Sequence, residues 1–171
     1  MSTHRNIVLI GLMGSGKTTV GKALKKNLSQ NFEFVDTDIE IEKICGKSIS
    51  EIFSQDGEVF FRDIETKVVA NISKKNNLII STGGGVVLRE ENIINLKQNG
   101  ILFYLKAPAE VLANRLQKDE SRPLLQNENK INKLMKLLSE REVFYNKSDI
   151  IVDTTSKSVD KIVEEILDCI K

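Results

Sequence analysis

Two textures alternate along the chain. Short runs rich in β-branched residues at Asn6–Ile10, Phe34–Asp36, Leu78–Ser81, Ile101–Leu105 and Ile150–Val152 predict strands. NLIIS and ILFYL are apolar throughout, the pattern of strands buried on both faces. Between the runs lie longer stretches with helical spacing. Phe60, Ile64, Val68 and Ile72 form one stripe, and Val159, Val163 and Leu167 form another, with Ile162, Ile166 and Ile170 beside it. Leu134, Leu138, Arg141 and Tyr145 share a third stripe, which aims a guanidinium inward. Pro108 suits the first turn of a helix after YLKA. Strands alternating with helices predict an α/β fold of three layers, a parallel sheet covered by helices on both faces.

Three segments fit this scheme less simply. DTDIEIEKI alternates polar and apolar residues from Asp38 to Glu42, which on pattern alone suits an exposed strand as well as a helix. KICGKSISEIFSQDGEVFFRDIE has glycine breaks within helical patterns and lies between the second and third strands, a natural place for a small inserted subdomain. QKDESRPLLQNENKI is polar and holds the second proline, a composition suited to a flap over a site.

Composition narrows the chemistry. The chain has 171 residues, enough for a single domain with a real core, and its net charge is +1 with charged residues at 29%. Lys and Arg are interspersed with Asp and Glu, so neither a nucleic-acid face nor a membrane-binding patch is expected. No apolar run is long enough to span a bilayer, and the N-terminal stretch lacks a signal-peptide core, so a cytoplasmic protein is predicted. Cys45 and Cys169 fit no metal or redox spacing and are expected to be reduced thiols. His4 is the only histidine. Carboxylates, lysine, arginine, hydroxyls and a borrowed metal ion must carry any reaction.

The strongest motif is GLMGSGKT. Gly11, Gly16, Lys17 and Thr18 fill G-x-x-x-x-G-K-[ST], with Gly14 between, after a predicted strand and before a helical pattern. Such a loop turns its amides onto phosphates, its lysine reaches the β/γ-phosphates, and its hydroxyl can ligate Mg²⁺. A nucleoside triphosphate site follows. Asp36 and Asp38 in VDTD are either capping or turn aspartates, or a metal-side and an acceptor-side carboxylate. Gly83, Gly84 and Gly85 follow the strand LIIS, where backbone can touch a ligand at the carboxyl end of a parallel sheet. Arg62 falls away from the Phe60 stripe, so a solvated arginine and a ligand-binding one both stand. Arg141, aimed inward, needs either an internal ion pair or an anionic ligand. NKSD at Asn146–Asp149 spells a guanine-reading tetrapeptide, but it precedes a strand instead of following one.

Taken together, GLMGSGKTTVGKAL, VDTDIEIEKICGKSISEIFSQDGEVFFRDIE, STGGGVV, RPLL and REVFY resemble the shikimate kinase family from about residue 5 to about residue 160. That resemblance implies a P-loop kinase of the nucleoside monophosphate kinase type. It also implies a five-stranded parallel sheet, a substrate-binding insertion at about 37–66 and a lid at about 116–127. It favours a helix for DTDIEIEKI. The implied reaction is ATP- and Mg²⁺-dependent phosphorylation of the 3-hydroxyl of shikimate, usually by a monomer.

Carried onto this chain, Gly14, Ser15, Gly16, Lys17, Thr18 and Thr19 would hold phosphates, and Thr18 and Asp36 the metal. Asp38 would bind the acceptor hydroxyls and take the proton. Arg62 and Arg141 would clamp the carboxylate, with Gly83, Gly84 and Gly85 as backbone contacts. Lys17, Asp38 and Arg122, the last in the lid, would act on the transferring group. Arg115 and Lys157 would flank the nucleobase, the lysine standing where the family often has arginine. A related gluconate or nucleoside monophosphate kinase, or an inactive nucleotide-binding module, are the alternatives.

Overall fold

A computed structural model describes residues 5–28, 30–117 and 129–170. The predicted strands all form, as β1 (Asn6–Ile10), β2 (Glu33–Asp36), β3 (Leu78–Ser81), β4 (Gly100–Lys106) and β5 (Ile150–Asp153). They make one parallel sheet in the order β2-β3-β1-β4-β5. Val8 of β1 sits opposite Ile80 of β3 and Leu102 of β4, which sets the central register. Every residue of β1 and of β3 is buried, as their unbroken apolar runs require.

The helices are α1 (Lys17–Asn27), α2 (Thr37–Cys45), α3 (Ile49–Gln55), α4 (Gly57–Ile72), α5 (Glu90–Gln98), α6 (Ala109–Gln117), α7 (Asn129–Tyr145) and α8 (Val159–Cys169). A 3₁₀ turn spans Val86–Leu88. Side chains alternate across the strands, so the sheet divides the core in two. Ile7, Leu9, Phe103 and Leu105 pack with Val20 and Leu24 of α1 and with Ile162, Val163 and Ile166 of α8. Val8, Ile10, Ile80 and Leu102 face the other way, toward Val68, Val69 and Ile72 of α4, Leu112 of α6 and Leu134 of α7.

Local chemistry explains most boundaries. DTDIEIEKI is helix α2, with Asp36 as its N-cap: the carboxylate accepts from the Asp38 amide at 3.1 Å. Gly46, at φ 63°, closes it in the left-handed conformation. Ser48 and Glu51 form a reciprocal capping box on α3. Pro108 lies just outside α6, and its carbonyl accepts the first turn's bond from Leu112 at 3.1 Å.

The α4 stripe requires correction. Phe61 is buried, whereas Phe60 is 41% exposed. Residues four apart in a helix drift by about 40° each, so over three steps the stripe turns by about 120° off its face. The buried set is instead Phe61, Glu65, Thr66, Val68, Val69 and Ile72. Arg62 therefore borders the buried face instead of lying opposite it.

Among the described residues no helix is long and apolar enough to cross a membrane. Cys45 and Cys169 are free thiols. The NKSD tetrapeptide has a structural use. Asp149 accepts from the Leu102 amide at 2.9 Å and pairs with Lys97 at 2.8 Å, which fixes the entry to β5 against β4.

Candidate active site

The carboxyl ends of the strands open into a cleft of about 1120 Å³. β1 delivers the phosphate loop to its middle. Gly11, Gly14 and Gly16 have φ of 147°, 80° and 93°, conformations that only glycine adopts freely. A side chain at Gly14 would also meet Leu116 and the Leu112 carbonyl of α6 within 3.0 Å. Lys17 is buried, and its Nζ donates to the carbonyls of Gly11 at 2.8 Å and Leu12 at 3.1 Å. The ammonium thus spans the loop it serves. Ser15 and Thr19 line the same part of the cleft.

Thr18 opens outward from the first turn of α1. Its hydroxyl donates to Asp36 Oδ2 at 3.1 Å and lies 3.3 Å from the Ser81 hydroxyl. Asp36 Oδ1 caps α2, one of the readings that VDTD left open, while Oδ2 faces Thr18. Thr18, Asp36 and Ser81 form a set of hard oxygen donors at the edge of the phosphate loop, the chemistry that suits Mg²⁺. Among the described residues no cluster of three or more acidic, histidine or cysteine side chains could hold an ion without such help.

On the β3 side the glycine triplet makes room for charged groups. A Cβ on Gly83 would sit 2.8 Å from Asp38 Oδ1 and 3.2 Å from Glu65 Oε1. On Gly85 it would fall onto the Arg62 guanidinium. The Gly83 amide donates to the Thr37 hydroxyl at 3.0 Å, so α2 is pinned to this turn.

Arg62 is held on two sides, by Glu65 at 2.7 Å and by Glu58 at 3.2 Å, and its side chain is only 12% exposed. Glu65 is fully buried, and burial pushes its pKa above the ordinary carboxylate value. The Arg62 charge opposes that shift and the nearby Asp38 adds to it. Glu65 Oε1 has no hydrogen-bond partner among the described residues.

Arg141 enters from α7 and lines the same cleft. It forms no salt bridge with a carboxylate among the described residues, and it lies one helical turn before Tyr145 on α7, close enough for its charge to act on the phenol. Among the described residues, then, no internal ion pair accounts for its inward aim. Tyr145 is fully buried, stacks on Tyr104 with ring centroids 4.9 Å apart, and donates to the Gly84 carbonyl at 2.5 Å.

On the β4–β5 side Arg115 of α6 donates to the Thr154 hydroxyl at 3.0 Å and to the Thr154 carbonyl. Desolvation lowers its pKa. Lys157 pairs with Glu165 of α8 at 2.7 Å, and both cations border the cleft. Arg122 and residues 118–127 of the expected lid lie outside the described residues.

The cleft thus gathers Lys17, Thr18, Asp36, Asp38, Arg62, the three glycines, Arg115, Arg141 and Lys157 from across the sequence. Sequence reasoning missed Glu58, Glu65, Thr37 and Ser81, which support the others. Glu58 and Glu65 had one available signal, their spacing of four and three residues from Arg62 on one helix.

Comparison with known proteins identifies the family. The family model described as shikimate kinase matches residues 13–171. A shikimate kinase of Caldicellulosiruptor bescii is 45% identical over 163 residues, 95% of this chain and 94% of the relative. One of Pelotomaculum thermopropionicum is 46% identical over 167 residues, 98% and 96% of the two chains. The solved structure of shikimate kinase from Acinetobacter baumannii in complex with shikimate superposes with a TM-score of 0.89 at 40% identity. That match covers 98% of this chain and 93% of the other. On sequence and fold, this chain belongs to the shikimate kinase family.

Proposed function

We propose that the protein transfers the γ-phosphoryl group of ATP to the 3-hydroxyl of shikimate, giving shikimate 3-phosphate and ADP on the route to aromatic amino acids. One observation carries this reading. Arg62 and Arg141, from separate helices, border one cleft with Asp38 and the glycine triplet, opposite a phosphate loop. A small anionic polyol needs such an arrangement: guanidinium groups for a planar carboxylate, a carboxylate and backbone groups for hydroxyls.

The amides of the loop from Gly14 to Thr19 hold the phosphates at the positive end of α1. Lys17 exchanges loop carbonyls for β/γ-phosphate oxygens, and its charge offsets what builds up during transfer. Thr18 and Asp36 would hold Mg²⁺, which would supply positive charge to offset that of the phosphates.

Arg62, fixed by Glu58 and Glu65, and Arg141, fixed by Tyr145, hold the acceptor carboxylate. Asp38 orients the acceptor hydroxyl and takes its proton as the oxygen attacks in line. The backbone of Gly83, Gly84 and Gly85 lines the acceptor's floor. Arg115 and Lys157 flank the nucleobase. α2, α3 and the start of α4 form the acceptor-binding insertion. A lid at about 116–127, whose Arg122 would reach the phosphates and keep water out, completes this reading. The proposed enzyme is a cytoplasmic monomer.

The test is coupled ADP release from purified protein with Mg·ATP, comparing shikimate, gluconate and AMP as acceptors. Release that depends on shikimate alone is the expected result. Release with gluconate or AMP instead would overturn the carboxylate clamp, and ATP binding without turnover would leave a nucleotide-binding module.

A further inference from the structure

Tyr145 raises a question that packing does not answer. Its ring lies at the end of α7 with no exposed surface, stacked on Tyr104 of β4 at an interplanar angle of 22°. A phenylalanine would make the same stack without burying a hydroxyl, which costs free energy unless the hydroxyl is hydrogen-bonded. The neighbouring Tyr104 illustrates the contrast, since its buried hydroxyl has no partner among the described residues. The Tyr145 hydroxyl is engaged. It donates to the Gly84 carbonyl at 2.5 Å, which leaves its lone pairs to accept, and Arg141 lies one turn earlier on the same helix and lines the cleft. Burial pushes the phenol's pKa up to about 12, so the group stays protonated and keeps donating at any physiological pH.

Both partners belong to the acceptor half of the cleft. Gly84 is the middle glycine of the triplet and abuts the phosphate loop: a Cβ there would lie 3.5 Å from the Gly11 carbonyl and 3.6 Å from the Met13 amide. Arg141 has no carboxylate to fix it among the described residues. A long arginine without a fixed partner would sample several rotamers and lose entropy on meeting a ligand.

We infer that Tyr145 is a positioning residue for acceptor binding, whose hydroxyl ties the Arg141 guanidinium to the Gly84 carbonyl and so holds the anion-binding arginine and the glycine turn in one geometry. The inference rests on the assignment of Arg141 to the acceptor carboxylate made above. The hydroxyl does not touch the reacting atoms. It acts through Arg141 and Gly84 and belongs to the acceptor's affinity rather than the nucleotide's.

The experiment is calorimetric titration of the full-length protein with shikimate and, separately, with a non-hydrolysable ATP analogue. The proteins compared are wild type, Tyr145→Phe, Tyr104→Phe, Arg141→Ala and the Tyr145→Phe/Arg141→Ala double variant. Tyr145→Phe is expected to raise the shikimate Kd about tenfold, the size of one buried hydrogen bond lost with its acceptor left unpaired. The Kd for the ATP analogue should stay within about twofold, as should both constants in Tyr104→Phe. On the Arg141→Ala background the tyrosine substitution should add less than about twofold, because the two residues act as one unit.

An unchanged shikimate Kd in Tyr145→Phe overturns the inference. So does an equal loss for both ligands, which would mean general loosening, or a full tenfold effect persisting without Arg141. An unchanged shikimate Kd in Arg141→Ala overturns the carboxylate assignment itself, and the inference with it.

Discussion

Asp38 and Glu65 stand within reach of one another across Gly83, yet their surroundings give them different work. Asp38 lies in the first turn of α2 and opens to the cleft, while Glu65 is sealed in the core beneath Arg62. Asp38→Asn keeps the shape and removes the proton acceptor, so turnover should fall by about two orders of magnitude or more, as for a lost general base. ATP affinity should stay near wild type, because the phosphate loop is untouched. A variant that keeps most of its turnover would reduce Asp38 to a hydroxyl-orienting group.

Glu65 answers to pH instead. Its folded pKa is raised above the ordinary 4.5 by burial, so the folded state holds its proton more tightly than the unfolded chain does. The stability this contributes is complete below 4.5 and declines as pH climbs through the raised value. Glu65→Gln removes that slope. Melting temperatures of wild type and variant from about pH 4 to about pH 7 should converge or cross as pH rises, whatever the offset from the lost Arg62 pair. Parallel curves would rule this out.

Elements place these residues, and the turn after β3 shows how. Gly85 has φ −98° and ψ 3°, a conformation open to any residue, so glycine is needed there for space and not for backbone freedom. Gly85→Ala would put a methyl group where the Arg62 guanidinium lies. Fold and Tm should survive nearly intact while the KM for shikimate rises about tenfold, since the charge-assisted contact with the carboxylate is lost. An unchanged KM would show that Arg62 can vacate that position without cost.

The same contrast between backbone and space governs what was legible beforehand. The strands were readable because buried parallel strands are continuous apolar runs. The phosphate loop was readable because three positive φ angles leave glycine in fixed places. The alternation of DTDIEIEKI was ambiguous because Ile41 is its one fully buried apolar residue while Ile39 is 47% exposed, so the helix's apolar face is narrow enough to mimic a strand. The tilt of the α4 stripe hid both Phe61 and the placement of Arg62. Glu65 could not be read as a buried acid, because its burial depends on β3 and α2 arriving from elsewhere in the chain. Tyr145 looked like core, and its ring is core; only the Gly84 carbonyl and Arg141 beside it reveal a use for the hydroxyl.

At the scale of the molecule, strand order sorts the ligands. β1 lies at the centre and carries the phosphate loop. The β3–β2 side supplies Asp36, Asp38 and the glycine triplet, and the β4–β5 side supplies Arg115 and Lys157. Ligands that bind at the carboxyl edge of one sheet therefore brace elements from both halves of the core, and occupancy should register in global stability. At a concentration one hundred times its Kd, shikimate should stabilise the fold by about 2.7 kcal/mol. For a domain of this size that is a rise in Tm of about 5–10 °C. Arg141→Ala should lose about 2–5 kcal/mol of acceptor affinity, as for truncating one partner of a desolvated charge pair. At the same shikimate concentration its Tm shift should then fall to about a third of the wild-type shift or less, while the shift with an ATP analogue persists. Because Arg141 has no carboxylate partner among the described residues, its removal should leave the unliganded Tm close to wild type. A variant that melted early without ligand, yet kept the full shikimate shift, would place Arg141 in the core's own accounts and return the acceptor carboxylate to Arg62 alone.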